Sequence, residues 1–127
     1  MIKSCPTIGI VDDEPSVCKA LSRLITSAGF DVITYGSAQA FLDDKPTSEP
    51  DLLVLDVRMP GMNGLDLQNH LAASGRTIPI VFITAHENDV AKATAMAAGA
   101  VAFFQKPLDE KDLLGVIHKA LNLNIKI

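Results

Sequence analysis

Five short runs rich in β-branched and apolar residues recur along this chain, and a stretch with helical spacing follows each. The runs are Thr7 to Val11, Asp31 to Tyr35, Leu52 to Leu55, Ile78 to Ile83 and Val101 to Phe104. The third and fourth are flat in hydrophobicity rather than alternating, which suits strands covered on both faces. After the first run, Val17, Leu21, Leu24, Ile25 and Ala28 repeat at helical intervals, with Pro15 in the first turn and Gly29 as the stop. Ser37 caps a short helix carrying Ala38, Phe41 and Leu42, and Lys45 to Pro50 is a loop. A helix with Leu67 and Leu71 runs from Asn63-Gly64 to Gly75, and an alanine-rich helix runs from Glu87 to Ala98, closed by Gly99. Asp109 caps the last helix, with Leu108 and Leu113 as a hydrophobic staple and Val116, Ile117, Ala120 and Leu121 buried beyond them.

Alternation of this kind predicts an α/β fold: a five-stranded parallel sheet with five helices on both faces, joined by right-handed crossovers. Such sheets commonly take the strand order 2-1-3-4-5, which sets the ends of strands 1 and 3 side by side at the switch point. The length of 127 residues fits one domain, expected over residues 1–127, since domains most often hold about 100–150 residues. Hydrophobic residues make up 48% and charged residues 20%, which argues for a filled core and against disorder. A formal net charge of −4 gives no electrostatic reason for nucleic-acid binding by this domain itself. No apolar run approaches the roughly 20 residues of a membrane span, and Met1 to Pro6 has no signal-peptide core. Cys5 and Cys18 lack metal-ligand spacing and read as ordinary thiols of a cytoplasmic protein, Cys18 as a small apolar filler.

The chemistry gathers at strand ends. The run Leu52 to Leu55 stops on Asp56, and the first strand breaks onto Asp12-Asp13-Glu14. In the 2-1-3-4-5 order these carboxylates converge. Two ionised carboxylates about 5 Å apart repel by roughly 3 kcal/mol at an effective dielectric near 20, so three require retained protons or a cation. Oxygen ligands with no His or Cys beside them suit Mg²⁺ better than zinc. Strand 4 ends in Ile83-Thr84-Ala85, presenting a hydroxyl, and strand 5 ends in Phe104-Gln105-Lys106-Pro107, presenting an ammonium. Taken singly, Thr84 is an ordinary strand-end residue and Lys106 a surface lysine. Around one crevice they make a phosphoryl-transfer site with Asp56 as acceptor.

Over residues Thr7 to Leu121 the chain resembles the receiver domain of two-component response regulators, the CheY-like fold. The resemblance rests on Val11-Asp12-Asp13-Glu14-Pro15, Leu55-Asp56-Val57-Arg58-Met59-Pro60-Gly61-Met62-Asn63-Gly64, Ile83-Thr84-Ala85 and Lys106-Pro107. It implies that Asp56 takes a phosphoryl group from the phosphohistidine of a sensor histidine kinase. It implies Mg²⁺ (or Mn²⁺) held by Asp13 and Asp56 directly, by Asp12 through water and by the main-chain carbonyl of Arg58. Lys106 would pair with phosphoryl oxygens, before a cis bond to Pro107. Thr84 and Phe103 would form the switch, Phe103 standing where many relatives have Tyr. Arg58 and His86, each two residues beyond a site residue, are candidates for tuning the acyl-phosphate lifetime, the other reading of Arg58 being a solvated loop side chain. The implied output surface is the fourth helix, fifth strand and last helix, used for phosphorylation-dependent homodimers. The alanine-rich helix buries little surface, so it is either simply packed tightly against the sheet or lightly anchored and shifted when Thr84 moves. Ser37-Ala38-Gln39-Ala40-Phe41-Leu42 and the segment after Asp56 look like FixJ-type receivers, which act on transcription through a helix-turn-helix domain; no such output domain is expected within 1–127.

Other readings lead elsewhere. A stand-alone receiver would act by protein contact or as a phosphorelay intermediate. An aspartate-nucleophile phosphatase of the haloacid-dehalogenase type needs an Asp where Arg58 stands. A flavodoxin-type binder would have to cradle a phosphate dianion on Asp12-Asp13-Glu14, which repels one. The chain is therefore expected to catalyse only its own phosphorylation and dephosphorylation. His70 and His118 read as solvated or half-buried helix residues, and Met59, Met62 and Met96 as packing.

Overall fold

Strands form where β-branched and apolar residues run together, and the computed structural model describes them within residues 5–44, 49–86 and 88–121. Lys45 to Ser48 of the expected loop, Glu87 of the expected fourth helix, and both chain ends (1–4, 122–127) lie outside the described residues. The elements are β1 (Thr7–Val11), α1 (Pro15–Ser27), β2 (Asp31–Tyr35), α2 (Ala38–Asp43), β3 (Leu52–Asp56), α3 (Gly64–Ala73), β4 (Ile80–Thr84), α4 (Asp89–Ala97), β5 (Ala102–Gln105) and α5 (Glu110–Ala120). All neighbouring strands pair in parallel, in the order β2-β1-β3-β4-β5. This is the α/β architecture expected from the alternation.

Every residue of β3 and β4 is buried, because one face meets Phe41, Leu67 and Leu71 and the other meets Leu21, Ile25, Leu113 and Ile117. Helix ends follow local chemistry. Ser37, Asn63, Asn88 and Asp109 each accept a hydrogen bond from a main-chain N–H in the first turn of their helix. Pro15 opens α1, where its missing N–H removes no helical bond. Gly29, Gly75 and Gly99 follow helix ends at φ 99°, 76° and 101°, a conformation that side chains with a Cβ resist.

Three strands and the fourth helix have boundaries that differ from expectation: α4 begins at Asp89, not Glu87, because Asn88 is extended and caps it. β4 starts at Ile80, not Ile78, because Pro79 accepts a bond from the Leu53 N–H but has none to donate. β3 runs one residue further, so Asp56 itself is in register with Ile83. β5 spans Ala102–Gln105, one residue later than read, although Val101 already donates to the Ile80 carbonyl. Met96 is corrected: it stands 41% exposed on the outer side of α4, whereas Met59 is buried and Met62 packs on the core.

One contact fixes how α3 meets the sheet. A Cβ on Gly64 would lie 2.3 Å from the main-chain oxygen of Asp56 and 3.1 Å from the Phe82 ring, and the Gly64 N–H donates to the Val57 carbonyl at 2.9 Å. Backbone cannot yield as a side chain can. Gly64→Ala is therefore expected to destabilise the protein by about 1–3 kcal/mol, read as a lower urea midpoint at constant slope. An unchanged midpoint would show that α3 can back away freely.

Candidate functional site

β1 and β3 end side by side, so Asp12, one residue beyond β1, faces Asp56, the last residue of β3. One carboxylate oxygen from each of Asp12, Asp13 and Asp56 lies within 4.8 Å of the others. Asp12 and Asp56 are 1% and 4% exposed, while Asp13 faces solvent. Local bonds hold the group. The Asp12 N–H continues the ladder to the Tyr35 carbonyl, and its Oδ1 accepts from the Glu14 N–H at 2.9 Å. The Cys18 thiol donates to the Asp12 carbonyl at 3.3 Å. Burial and the Asp12 charge push that thiol up, which keeps it protonated and unreactive.

Lys106 follows β5 and is held by a 2.7 Å bond from its N–H to the Thr84 carbonyl; its bond to Pro107 is cis. Its Nζ lies 3.0 Å from Asp12 Oδ2, 3.5 Å from Glu14 Oε1 and 3.9 Å from Asp56 Oδ1. Burial pulls this ammonium down, but the hydrogen bond to Asp12 and the charges of Asp12, Asp56 and Glu14 outweigh it and leave it raised. Asp56 is displaced far more. Burial first, then Asp12 and Asp13, push its carboxyl up to about 7 against the opposing pull of Lys106 and the Arg58 N–H. One lysine does not compensate three carboxylates.

Thr84 ends β4, 2% exposed, with its hydroxyl donating to the His86 carbonyl at 3.2 Å and accepting from the His86 N–H at 3.3 Å. Asp12, Asp13, Asp56 and Lys106 therefore form one cluster, and Thr84 borders it from the neighbouring strand end. Phe103 stands apart: half-buried in β5, it lies 6.0 Å from the Phe82 ring and lines a cleft of about 180 Å³ with Thr84, Asn88 and Lys92. The side chains of Arg58 and His86 are exposed, and both residues reach the site through main-chain atoms. His70 is exposed, and His118 is half-buried against Phe30, bonded to the Leu114 carbonyl.

Sequence reasoning did not single out Glu14 or Gly64 as site residues. Glu14 carried a signal, its place in an acidic run, but nothing local said it would turn to Lys106. Gly64 carried one too, read as turn chemistry rather than as close approach to Asp56. The cluster opens to solvent through a cleft of about 430 Å³ bordered by Asp12, Asp13, Lys19 and Arg23. The donor set is all oxygen, buried on one side and open on the other, with negative charge left over. That fits a hard divalent cation.

Comparison with known proteins agrees with this layout. Residues 8–118 match the family model of the response regulator receiver domain. The response regulator protein TmoT of Ectopseudomonas mendocina is 49% identical over 116 residues, covering 91% of this chain and 53% of that protein. The transcriptional regulatory protein TdiR of Thauera aromatica is 42% identical over 118 residues, covering 93% of this chain and 52% of that protein. The chain thus spans about half the length of these relatives. The crystal structure of FixJ-N superposes with a TM-score of 0.85 at 36% identity, covering 100% of both chains. With its sheet order, strand-end carboxylates and nearly full-length match in accord, this chain belongs to the response regulator receiver domain family of two-component systems.

Proposed function

We propose that Asp56 is the phosphoacceptor of this receiver and that a sensor histidine kinase is the donor. The observation that carries the reading is a buried carboxyl at a strand end, ringed by two more carboxylates and one ammonium. An Asp56 oxygen attacks the phosphorus of a phosphohistidine, the P–N bond breaks, and the imidazole leaves with the electron pair and takes up a proton. Lys106, already oriented by Asp12, meets the incoming oxygens with positive charge. Asp12, Asp13, Asp56 and the main-chain carbonyl of Arg58 would hold Mg²⁺ (or Mn²⁺). Once bound, that ion neutralises charge on the carboxylates and on the phosphoryl oxygens. Thr84 turns its hydroxyl from His86 toward the new group, Phe103 moves in behind it, and later hydrolysis resets the site. The exposed side chains of Arg58 and His86 tune that lifetime by screening water.

The chain acts as one receiver domain over 1–127, in the cytoplasm, on no substrate other than its own aspartyl phosphate. No described helix is long and apolar enough to cross a membrane. Val90 at 77% and Val101 at 38% exposure join Met96 as apolar side chains left outside on α4 and before β5. They support phosphorylation-dependent homodimers through the α4-β5-α5 surface. The output is transcription, through a DNA-binding domain or partner, as the name and double length of TdiR suggest. Acetyl phosphate with Mg²⁺ tests the reading: one phosphoryl group per chain, on Asp56, with no turnover of added phosphomonoesters. Multiple turnover would favour a phosphatase.

Metal affinity carries a pH signature. Without metal, Asp56 titrates near pH 7, and a bound cation requires its ionised form. Mg²⁺ affinity is expected to rise from pH 6 to 8, about tenfold per unit below pH 7 and levelling above it, with up to one proton released per ion. Calorimetry in buffers of different ionisation enthalpy reads the proton count. A pH-independent affinity over that range would mean that Asp56 is already ionised at pH 6 or is not among the ligands.

A further inference from the structure

Helix α4 is nine residues long, too short to stand alone, and its buried side chains are Ala91 and Ala95. Its two ends are held unequally. At the start, Asn88 caps the helix from within its own segment, next to the Thr84–His86 pair. At the far end, the Ala100 N–H donates to the Ala95 carbonyl, Gly99 to Met96, and Val101 to the Ile80 carbonyl of β4. The Ala95 carbonyl also accepts a second bond, 3.1 Å from Nε2 of Gln68, a residue of α3 only 5% exposed. Among the described residues this is the one side-chain hydrogen bond between α4 and another element. Beyond it the ends of α3 and α4 part around a cleft of about 490 Å³ lined by Leu71, Ala72, Ala98 and Ala100. A polar side chain buried between two helices serves as a pin, because leaving its donor unmet is costly.

We infer that Gln68 is a positioning residue that pins the C-terminal end of α4 at Ala95, so that α4 responds to the phosphoryl site by pivoting about this point. The 88–93 half moves with Thr84 and the 95–100 half stays. The inference rests on the reading of α4 as the element that answers Asp56, and it adds where that motion stops. Ala95 keeps its bond from Ala100 when Gln68 is replaced, so an apolar residue of equal length leaves no carbonyl bare.

Amide hydrogen exchange of the full chain and of Gln68→Met tests both parts. Without any phosphoryl mimic, exchange at 95–100 is expected to rise about fivefold in Gln68→Met, the worth of one buried hydrogen bond, while the β3 and β4 amides change less than twofold. Equal rates at 95–100 in the two proteins, or one uniform rise everywhere, would overturn the pin. With beryllofluoride and Mg²⁺, the native chain is expected to change at 84–93 and not at 95–100. In Gln68→Met the change should spread through residue 100. A response running evenly through residue 100 in the native chain refutes the pivot. A native chain with no response at 84–93 counts instead against Asp56 as acceptor, while the mimic-free comparison still decides the pin.

Discussion

Asp56→Asn protein incubated with acetyl phosphate and Mg²⁺ is expected to keep its unmodified mass, with labelling reduced at least about 100-fold, because an amide oxygen is a poor nucleophile beside a carboxylate. The same substitution should make the metal-free protein more stable. Burial and two like charges raise the folded Asp56 to about 7, above its ordinary value of 3.8. The folded state therefore holds a proton that the unfolded chain has lost between these values, and stability falls as pH rises from about 4 to 7. An uncharged amide removes that loss. At pH 8 without metal we expect Asp56→Asn to gain about 2 kcal/mol, roughly 6–10 °C in Tm, and at pH 4 to gain nothing. Mg²⁺ should raise the Tm of the native chain far more than that of the variant. If the variant is still labelled at another residue, the assignment of the acceptor is wrong; if Tm does not move at pH 8, the carboxyl is relieved by some group other than a proton or metal.

Lys106→Met gives the second large effect, in the opposite direction. The ammonium contacts Asp12, whose side chain is fully buried, and stands 3.9 Å from Asp56. Removing it leaves three carboxylates facing one another. Truncating one partner of a buried pair strands the other charge, and here the expected loss is about 2–4 kcal/mol at pH 7.5 without metal. The pH dependence has a definite sign. The folded ammonium is raised above its ordinary value, so its contribution is fully present below about pH 10 and fades only above that. The deficit of the variant should therefore be full above about pH 7 and shrink as pH falls through about 7, where Asp56 takes up its own proton. Mg²⁺ at saturation should recover much of it, while acetyl phosphate labelling stays slow for want of the second cation. Thermal melts at pH 4.5 and 7.5 with and without Mg²⁺ decide; a loss independent of both would make Lys106 a packing residue.

Most of the fold could be read from residues because its central strands are simple. β3 and β4 are apolar throughout, and the caps Ser37 and Asp109 announce their helices. Ile78 was misread as strand because hydrophobicity speaks louder than a missing N–H at Pro79. Met96 was misread as packing because an alanine-rich helix has no marked apolar stripe to phase it. The site was legible once the strand order was assumed, since Asp12, Asp56, Thr84 and Lys106 all sit where strands stop. What stayed hidden depends on directions that sequence does not carry. Glu14 turns back toward Lys106, Gly64 lets α3 rest on the Asp56 backbone, and Gln68 reaches an α4 carbonyl 27 positions away. Each follows from how far one element docks from another, a distance that no local pattern records.

The bond between Lys106 and Asp12 joins residues 94 positions apart. During synthesis, β1 emerges first, yet it lies between β2 and β3, and its acidic end stays without Lys106 until β5 has left the ribosome and paired with β4. Contacts this distant in sequence close last, after the loops they span have been ordered. A nascent or nicked chain ending before β5 thus carries Asp56 but neither the lysine that stands 3.9 Å from it nor the strand that anchors that lysine. With Asp56 as the proposed acceptor, competence to receive a signal would arrive in the same event as completion of the sheet, and a half-made copy would stay silent.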